Sequence, residues 1–133
     1  MKKVLSIIAF LLILLVFTGC NRKPYSFKNP VDEIESIEIV SAKNSFDFTV
    51  IKTLSEEEKD DFLEQFQEIQ FGRYLFGDPV SLHGNAVKIT YQTGDYEMIC
   101  SFWADYIKDG KRYFLWKYCN EKDFDKLLDS FLE

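Results

Sequence analysis

In several segments of the chain, hydrophobic residues occur at every second position, which is the period of a β-strand with one buried face. Ile37 and Ile39 follow this pattern, and Phe46, Phe48 and Val50 repeat it after a polar turn. The alternation returns in the second half of the chain. Strands are predicted over residues 34–41, 46–53, 69–75, 85–92, 95–107 and 111–118.

Two segments follow the helical period instead. Ser55 and Glu58 have the spacing of a capping box, in which each side chain accepts a hydrogen bond from the other residue's amide. Apolar residues at helical spacing then predict a helix over 56–67. Asn120 is predicted to cap a final helix. The apolar stripe of that helix consists of Phe124, Leu127, Leu128 and Phe131.

The first hairpin of the second half has its turn near Thr93 and Gly94. A two-residue turn at these positions pairs Ile89 with Met98 and Val87 with Cys100. The apolar partners then share one face of the sheet, which supports this register.

The second hairpin is predicted from Asp109–Gly110, a dipeptide that suits a type I′ turn. Counting outward from the turn places Cys100 opposite Cys119 on one face of the sheet. It places Trp103 opposite Trp116 on the other face. This register requires that no β-bulge interrupts the strands.

These elements predict an α+β fold with an antiparallel sheet of five or six strands and two helices. Cys119 and Phe124 have the spacing of a hydrophobic staple at the start of the last helix. The C-terminal helix is therefore expected to pack on the sheet face that carries Cys119 and Cys100. Residues 32–133 are predicted to form a single domain.

The amino-terminal residues have a different pattern, basic, then apolar, then small. Lys2 and Lys3 precede an apolar run from Val4 to Phe17, and two small residues follow before Cys20. The run is shorter than the roughly 20 apolar residues of a membrane-spanning helix. This order is typical of a secretory signal peptide. An uncleaved membrane anchor is the alternative.

The segment Phe17-Thr18-Gly19-Cys20 resembles the lipobox of bacterial lipoproteins, with phenylalanine where the family usually has leucine. The resemblance implies that type II signal peptidase removes residues 1–19. It also implies that the sulfur of Cys20 carries a diacylglycerol. The protein would then be attached to the membrane, outside the cytoplasm.

Residues 20–31 are predicted to be the lipidated cysteine and a tether, because Pro24 and Pro30 interrupt a segment without apolar periodicity. The segment also contains the basic residues Arg22, Lys23 and Lys28. Beside a lipid anchor these cations would meet anionic headgroups. An ordinary polar linker is the alternative.

The charge balance constrains the partners of the mature protein. The net charge of −6 becomes −8 when the two lysines of the leader are removed. An acidic surface argues against nucleic acid, because phosphate contacts require clustered lysine and arginine. About 110 remaining residues are sufficient for one domain with its own core.

Cys100 and Cys119 allow two interpretations. Directly opposite residues of a hydrogen-bonded pair have α-carbons about 5.5 Å apart, which is within the disulfide range. An oxidising exterior would permit the bond. Alternatively, both are buried thiols that behave as small hydrophobic residues.

The opposite face of the predicted sheet is rich in aromatic residues. A candidate binding face consists of Trp103, Phe114, Trp116 and Tyr118. An exposed patch of this kind is seldom found on a monomer without a use. The alternative is a second layer of core beneath the first helix or the 72–84 loop. For the binding interpretation, Trp103 is expected to stack on Trp116 with at least one ring exposed.

No catalytic, metal or cofactor site is predicted. The sequence contains no Gly-x-Ser-x-Gly, His-x-x-x-His or Walker-type motif. His83, the only histidine, is interpreted as a plain loop residue because no catalytic or metal-binding partner is evident.

From Ile34 to Leu132 the layout resembles the small lipoproteins of Gram-positive bacteria that have no assigned function. The features that carry this resemblance are the capped start at Leu54–Glu58, the Gly84–Cys100 hairpin with its Thr-Gly-Asp turn, and the Phe-x-x-Leu-Leu helix from Phe124.

The resulting hypothesis is a membrane-anchored extracytoplasmic lipoprotein that acts as a non-enzymatic binding or accessory module of the cell envelope. Its partner would be a protein or an envelope component. The alternatives are a small extracytoplasmic hydrolase using carboxylates near the 72–84 loop, and a structural accessory of a membrane complex.

Overall fold

A computed structural model describes Val4, Ser6 to Ile8 and residues 22–133. Cys20 and nearly all of the predicted leader lie outside the described residues. Within the described part, no helix is long and apolar enough to cross a bilayer.

Residues 22–133 form two antiparallel sheets and two α-helices. The large sheet has the order β3-β2-β5-β6-β7-β8, and its strands are β2 (Ile34–Ala42), β3 (Phe48–Thr53), β5 (Gly84–Tyr91), β6 (Tyr96–Ile99), β7 (Ala104–Lys108) and β8 (Lys111–Phe114). The small sheet has the order β1-β4-β9, and its strands are β1 (Lys23–Pro24), β4 (Gln70–Arg73) and β9 (Lys117–Tyr118). The helices are α1 (Glu56–Phe66) and α2 (Glu121–Leu132). The predicted α+β class is confirmed.

Both helices begin where their capping residues predict. The Ser55 hydroxyl accepts from the Glu58 amide at 3.2 Å, and the Glu58 carboxylate accepts from the Ser55 amide at 3.2 Å. Asn120 accepts from the amide of Asp123 at the start of α2. These contacts satisfy amide groups that a helix leaves unpaired at its first turn.

The main core lies between one face of the large sheet and the two helices. The rings of Phe62 in α1 and Phe131 in α2 are 5.5 Å apart. Buried residues of this core extend from Tyr25 to Phe131, so the part of the chain from residue 22 contains a hydrophobic core.

The opposite face of the sheet is covered by the connection between β4 and β5. Leu82 from this connection is fully buried in a second cluster. The sheet contributes Val40 and Met98 to the same cluster, which also includes Cys100, directly after β6, and Trp103. The C-terminal helix thus packs on one sheet face, as predicted, but Cys100 lies on the other face.

The register predicted for the first hairpin is wrong by one residue. Ile89 pairs with Glu97 rather than with Met98, and Val87 pairs with Ile99. Gly94 adopts a φ of 91°, and the loop closes around three residues instead of two. A type I turn followed by a left-handed glycine forms such a bulged loop. The shift turns Glu97 toward the main core, where it is buried.

The second hairpin has the predicted turn and register. Tyr106 pairs with Tyr113, and Asp109 and Gly110 both have positive φ, as a type I′ turn requires. The predicted 95–107 strand, however, is interrupted by a turn. The amide of Cys100 donates to the carbonyl of Trp103 at 2.9 Å.

The predicted 111–118 strand is also divided, at Leu115 and Trp116. Trp116 has a φ of 55°, and the chain leaves the large sheet at this residue to enter the small one. The predicted pairing of Cys100 with Cys119 is therefore wrong, because neither residue lies in the hairpin ladder.

The segment predicted to be a tether belongs to the folded domain. Lys23 pairs with Phe71, and Tyr25 is only 3% exposed within the main core. The domain boundary predicted at residue 32 is therefore too late, and the described domain begins by residue 23. The 69–75 strand exists as β4, but it pairs in the small sheet.

Candidate functional site

A pocket of about 570 Å³ lies where residues 23–28, which we call the N-terminal segment, meet β4, β9 and the end of β8. Four of its lining residues are cations, namely Lys23, Lys28, Arg73 and Lys117. None of the described residues that line it is acidic. We refer to this site as the cationic pocket. It lies on a protein whose overall charge is −6.

The small sheet brings these cations together from distant parts of the sequence. Arg73 in β4 is the direct cross-strand partner of Lys117 in β9. Like charges placed opposite each other in a sheet are destabilising. Lys23 lies on β1, the other neighbour of β4. The arrangement concentrates positive charge, and the repulsion between these cations destabilises the small sheet. A bound anion would offset this repulsion.

Lys117 lines the cationic pocket and contacts the N-terminal segment. Its Nζ donates to the carbonyl of Ser26 at 2.8 Å and lies 3.9 Å from the centre of the Tyr25 ring. Both contacts place the ammonium against the N-terminal segment. Its position therefore depends on that segment remaining docked.

The pKa of Lys117 reports the electrostatics of the cationic pocket. Burial lowers this pKa to about 8, Glu97 opposes the shift, and Lys28, Lys23 and Arg73 lower the pKa further. The ammonium thus experiences its cationic neighbours directly. A bound anion would stabilise the charged form.

A buried carboxylate, Glu97, fastens the N-terminal segment beneath the pocket. Its Oε1 accepts from the hydroxyl of Tyr25 at 2.6 Å. Its Oε2 accepts from the hydroxyl of Tyr91 and from the amide of Lys28. Burial, followed by the charge of Glu97, raises the pKa of Tyr25 well above its usual value. The phenol therefore remains a hydrogen-bond donor throughout the neutral range.

In the small sheet, the aromatic ring of Tyr118 packs directly against Gly72. Tyr118 pairs with Gly72, and a Cβ added at Gly72 would lie 2.5 Å from Cζ of the tyrosine ring. The guanidinium of Arg22 lies 6.0 Å from the centre of the same ring. Only glycine at position 72 allows the ring to approach this closely.

The rim of the pocket carries exposed apolar side chains. Leu75 is 83% exposed and lines the pocket, and its neighbour Phe76 is 89% exposed. Phe114 completes the rim at 37% exposure. Two adjacent large apolar residues with almost no protein contact are candidates for contact with another surface.

The predicted binding face is only partly present. Trp103 is 1% exposed, and its Nε1 donates to the buried Asp105 carboxylate at 2.8 Å. Its ring meets Trp116 edge to face with centroids 5.1 Å apart. Trp116 and Tyr118 are half-buried. Trp103 therefore belongs to the second core, as the alternative interpretation stated, whereas Phe114 lines the cationic pocket.

Both domain cysteines are free thiols. Burial raises the pKa of Cys100 to about 11 and that of Cys119 to about 12. Thiols with such raised pKa values are protonated at neutral pH and are weak nucleophiles.

The 72–84 loop, on which the hydrolase alternative depends, shows no convergence of acids on its histidine. His83 is exposed, with Nδ1 3.2 Å from the carbonyl of Ser81 and its ring 4.9 Å from that of Phe102. Asp78 in the same loop is also exposed. Across residues 22–133, no three His, Cys, Asp or Glu side chains are placed to hold a metal ion.

The cationic pocket was not predicted from the sequence. Lys23 and Lys28 belong to one short basic segment, but Arg73 and Lys117 are far from them in the chain. One feature of the sequence pointed toward the pocket: Lys117 lies between Trp116 and Tyr118, two residues of the predicted binding face. It could not be interpreted without knowing that the chain changes sheets at Trp116.

Comparison with known protein families, with curated proteins and with solved structures finds no match to this chain.

Proposed function

We propose that the protein is a membrane-anchored lipoprotein outside the cytoplasm. Its domain would act as a non-enzymatic binding module for an anionic component of the cell envelope. The ligand would occupy the cationic pocket. The leader and the lipobox-like segment before Cys20 support the location.

The observation that carries the binding role is the grouping of four cations around one pocket of an acidic protein. Anions make charge-assisted hydrogen bonds with lysine and arginine that are stronger than neutral ones. Arg73 can present a planar fork to a carboxylate or a phosphate. Lys117 supplies a second, partly desolvated charge opposite it.

Anion binding can be tested by NMR on the chain from residue 22, which includes the core residues from Tyr25 to Phe131. Titration with soluble phosphoglycerol should produce saturable amide shifts at Gly72, Arg73 and Lys117. The variant Arg73→Gln should lose most of the affinity. Lys111→Gln, which removes an exposed cation from the β7–β8 turn, should bind as the unmodified chain does. Shifts that never saturate, or that are equal in both variants, would refute the anion site.

The anchor can be tested separately in a bacterial host. Labelled fatty acid should be incorporated into the full chain, and the protein should sediment with membranes. Cys20→Ser should abolish the label, whereas Cys119→Ser should retain it because Cys119 is part of the domain core. Retention of the label by Cys20→Ser would disprove lipidation at this residue.

A further inference from the structure

We propose that the cationic pocket docks on the membrane itself and holds the phosphate headgroup of an anionic phospholipid. In this arrangement Leu75 and Phe76 enter the interface of the leaflet that carries the anchor. This inference rests on the proposed function and names the ligand class of the same site.

The first support is the short connection between the anchor residue and the pocket. Arg22 is the second residue after Cys20, and two residues span at most about 7 Å. Lys23 lines the pocket. Because β1 is paired into the small sheet, no flexible spacer follows Arg22. A lipid on Cys20 would therefore hold this end of the domain at the bilayer surface.

The second support is charge complementarity. The N-terminal segment and the small sheet carry Lys23, Lys28, Arg73 and Lys117, while the chain as a whole is acidic. Near an anionic surface such a distribution orients the protein with its positive end toward the lipid and the acidic remainder away from it. Of the surfaces described above, the pocket would then face the headgroups.

The third support separates a lipid from a free soluble anion. Leu75 lines the pocket, Phe76 follows it in the chain, and both side chains are almost fully exposed. A soluble phosphate would make no use of them, whereas a bilayer offers hydrocarbon beside its charged headgroups. Aromatic and aliphatic side chains beside cations are the combination found on proteins that lie at a membrane interface.

The test uses the processed lipoprotein in nanodiscs whose acyl chains carry bromine, a quencher of tryptophan fluorescence. Phe76→Trp places a reporter next to Leu75, at a position that is 89% exposed. Phe46→Trp is the matched control, because Phe46 is an exposed phenylalanine in the β2–β3 turn on the opposite edge of the large sheet. The emission of the two native tryptophans is subtracted using the unmodified protein.

In discs that contain phosphatidylglycerol, the tryptophan at position 76 should be quenched and blue-shifted, and the one at position 46 should not. Adding Lys23→Glu and Arg73→Glu should abolish the quenching. Adding Lys108→Glu and Lys111→Glu, which changes charge at the distant turn, should leave it unchanged. High salt should weaken it.

The other outcomes overturn defined parts of the proposal. Equal quenching in phosphatidylcholine discs would reject recognition of an anionic headgroup. If the tryptophan at position 76 is not quenched but phosphoglycerol still saturates the pocket in solution, docking on the membrane is rejected. The proposed anion-binding function is then unaffected. If neither occurs, both proposals fail.

Discussion

Replacing Tyr25 with phenylalanine removes one hydroxyl from a buried hydrogen bond that joins residues 72 positions apart. The ring itself can remain between Phe66 and Phe71, whose centroids lie 5.3 and 5.0 Å from it. The substitution therefore isolates the hydrogen bond to Glu97 from the packing of the ring.

The expected loss follows from the partners that remain. A hydrogen bond to a charged group contributes about 1.5–3 kcal/mol. Glu97 would keep its bonds to Tyr91 and to the amide of Lys28, so the carboxylate is not left unpaired. We expect Tyr25→Phe to lower the free energy of unfolding by about 2 kcal/mol. At about 4 °C per kcal/mol for a domain of this size, the melting temperature should fall by about 8 °C.

Urea unfolding monitored by fluorescence measures the loss, and hydrogen exchange locates it. Protection should fall at the amides shared by β1 and β4, while β5 and β6 should change little. Tyr113→Phe is the matched control, because Tyr113 is exposed on β8. If Tyr25→Phe unfolds at the same urea concentration as this control, the N-terminal segment is not held by Glu97.

Three further predictions concern single residues. Gly72→Ala should displace the Tyr118 ring, destabilise the domain by about 1–3 kcal/mol and weaken phosphoglycerol binding. In urea unfolding, the double variant Gly72→Ala, Tyr118→Ala should lose less stability than the sum of the losses of the two single variants. Burial lowers the pKa of Lys117 to about 8 in the folded protein, whereas the pKa of an unfolded lysine is about 10.4. The charged form of Lys117 therefore opposes folding below pH 8. Between pH 8 and about 10.4 the unfolded chain binds more protons than the folded chain, so the free energy of unfolding should rise over this range. Lys117→Met should reduce that rise in urea midpoints, and anion affinity of the unmodified chain should fall as pH increases through 8. Asp105→Asn should cost about 3 kcal/mol in the same assay, because the buried carboxylate accepts from Arg112 at 2.7 Å.

Elements determined by local chemistry could be predicted from the sequence. The capping box at Ser55, the cap at Asn120 and the Asp109–Gly110 turn each depend on a few neighbouring residues. Their positions and the α+β class followed from these signals and from the hydrophobic period. None of them depends on which strands lie side by side.

The incorrect predictions concerned choices between nearly equal local alternatives. Thr93–Gly94 suits both a two-residue and a three-residue loop, and the longer loop allows Glu97 to meet Tyr25. That benefit comes from a residue far away in the sequence. Similarly, Pro24 has no amide to donate, which favours a tether, yet a proline is tolerated at the edge of a sheet. The pairing of β1 with β4 therefore left no local signal.

The change of sheet at Trp116 connects the fold to the site. A left-handed backbone costs a residue other than glycine roughly 1–2 kcal/mol, so local preference would place a glycine there. The ring of Trp116 compensates by packing on Trp103 and Phe114, and its carbonyl accepts from the amide of Tyr74 at 2.8 Å. Had the chain continued straight, Lys117 would lie at the edge of the large sheet. The turn instead sets Lys117 opposite Arg73, and this single backbone conformation creates the cross-strand pair of cations on which the proposed anion binding depends.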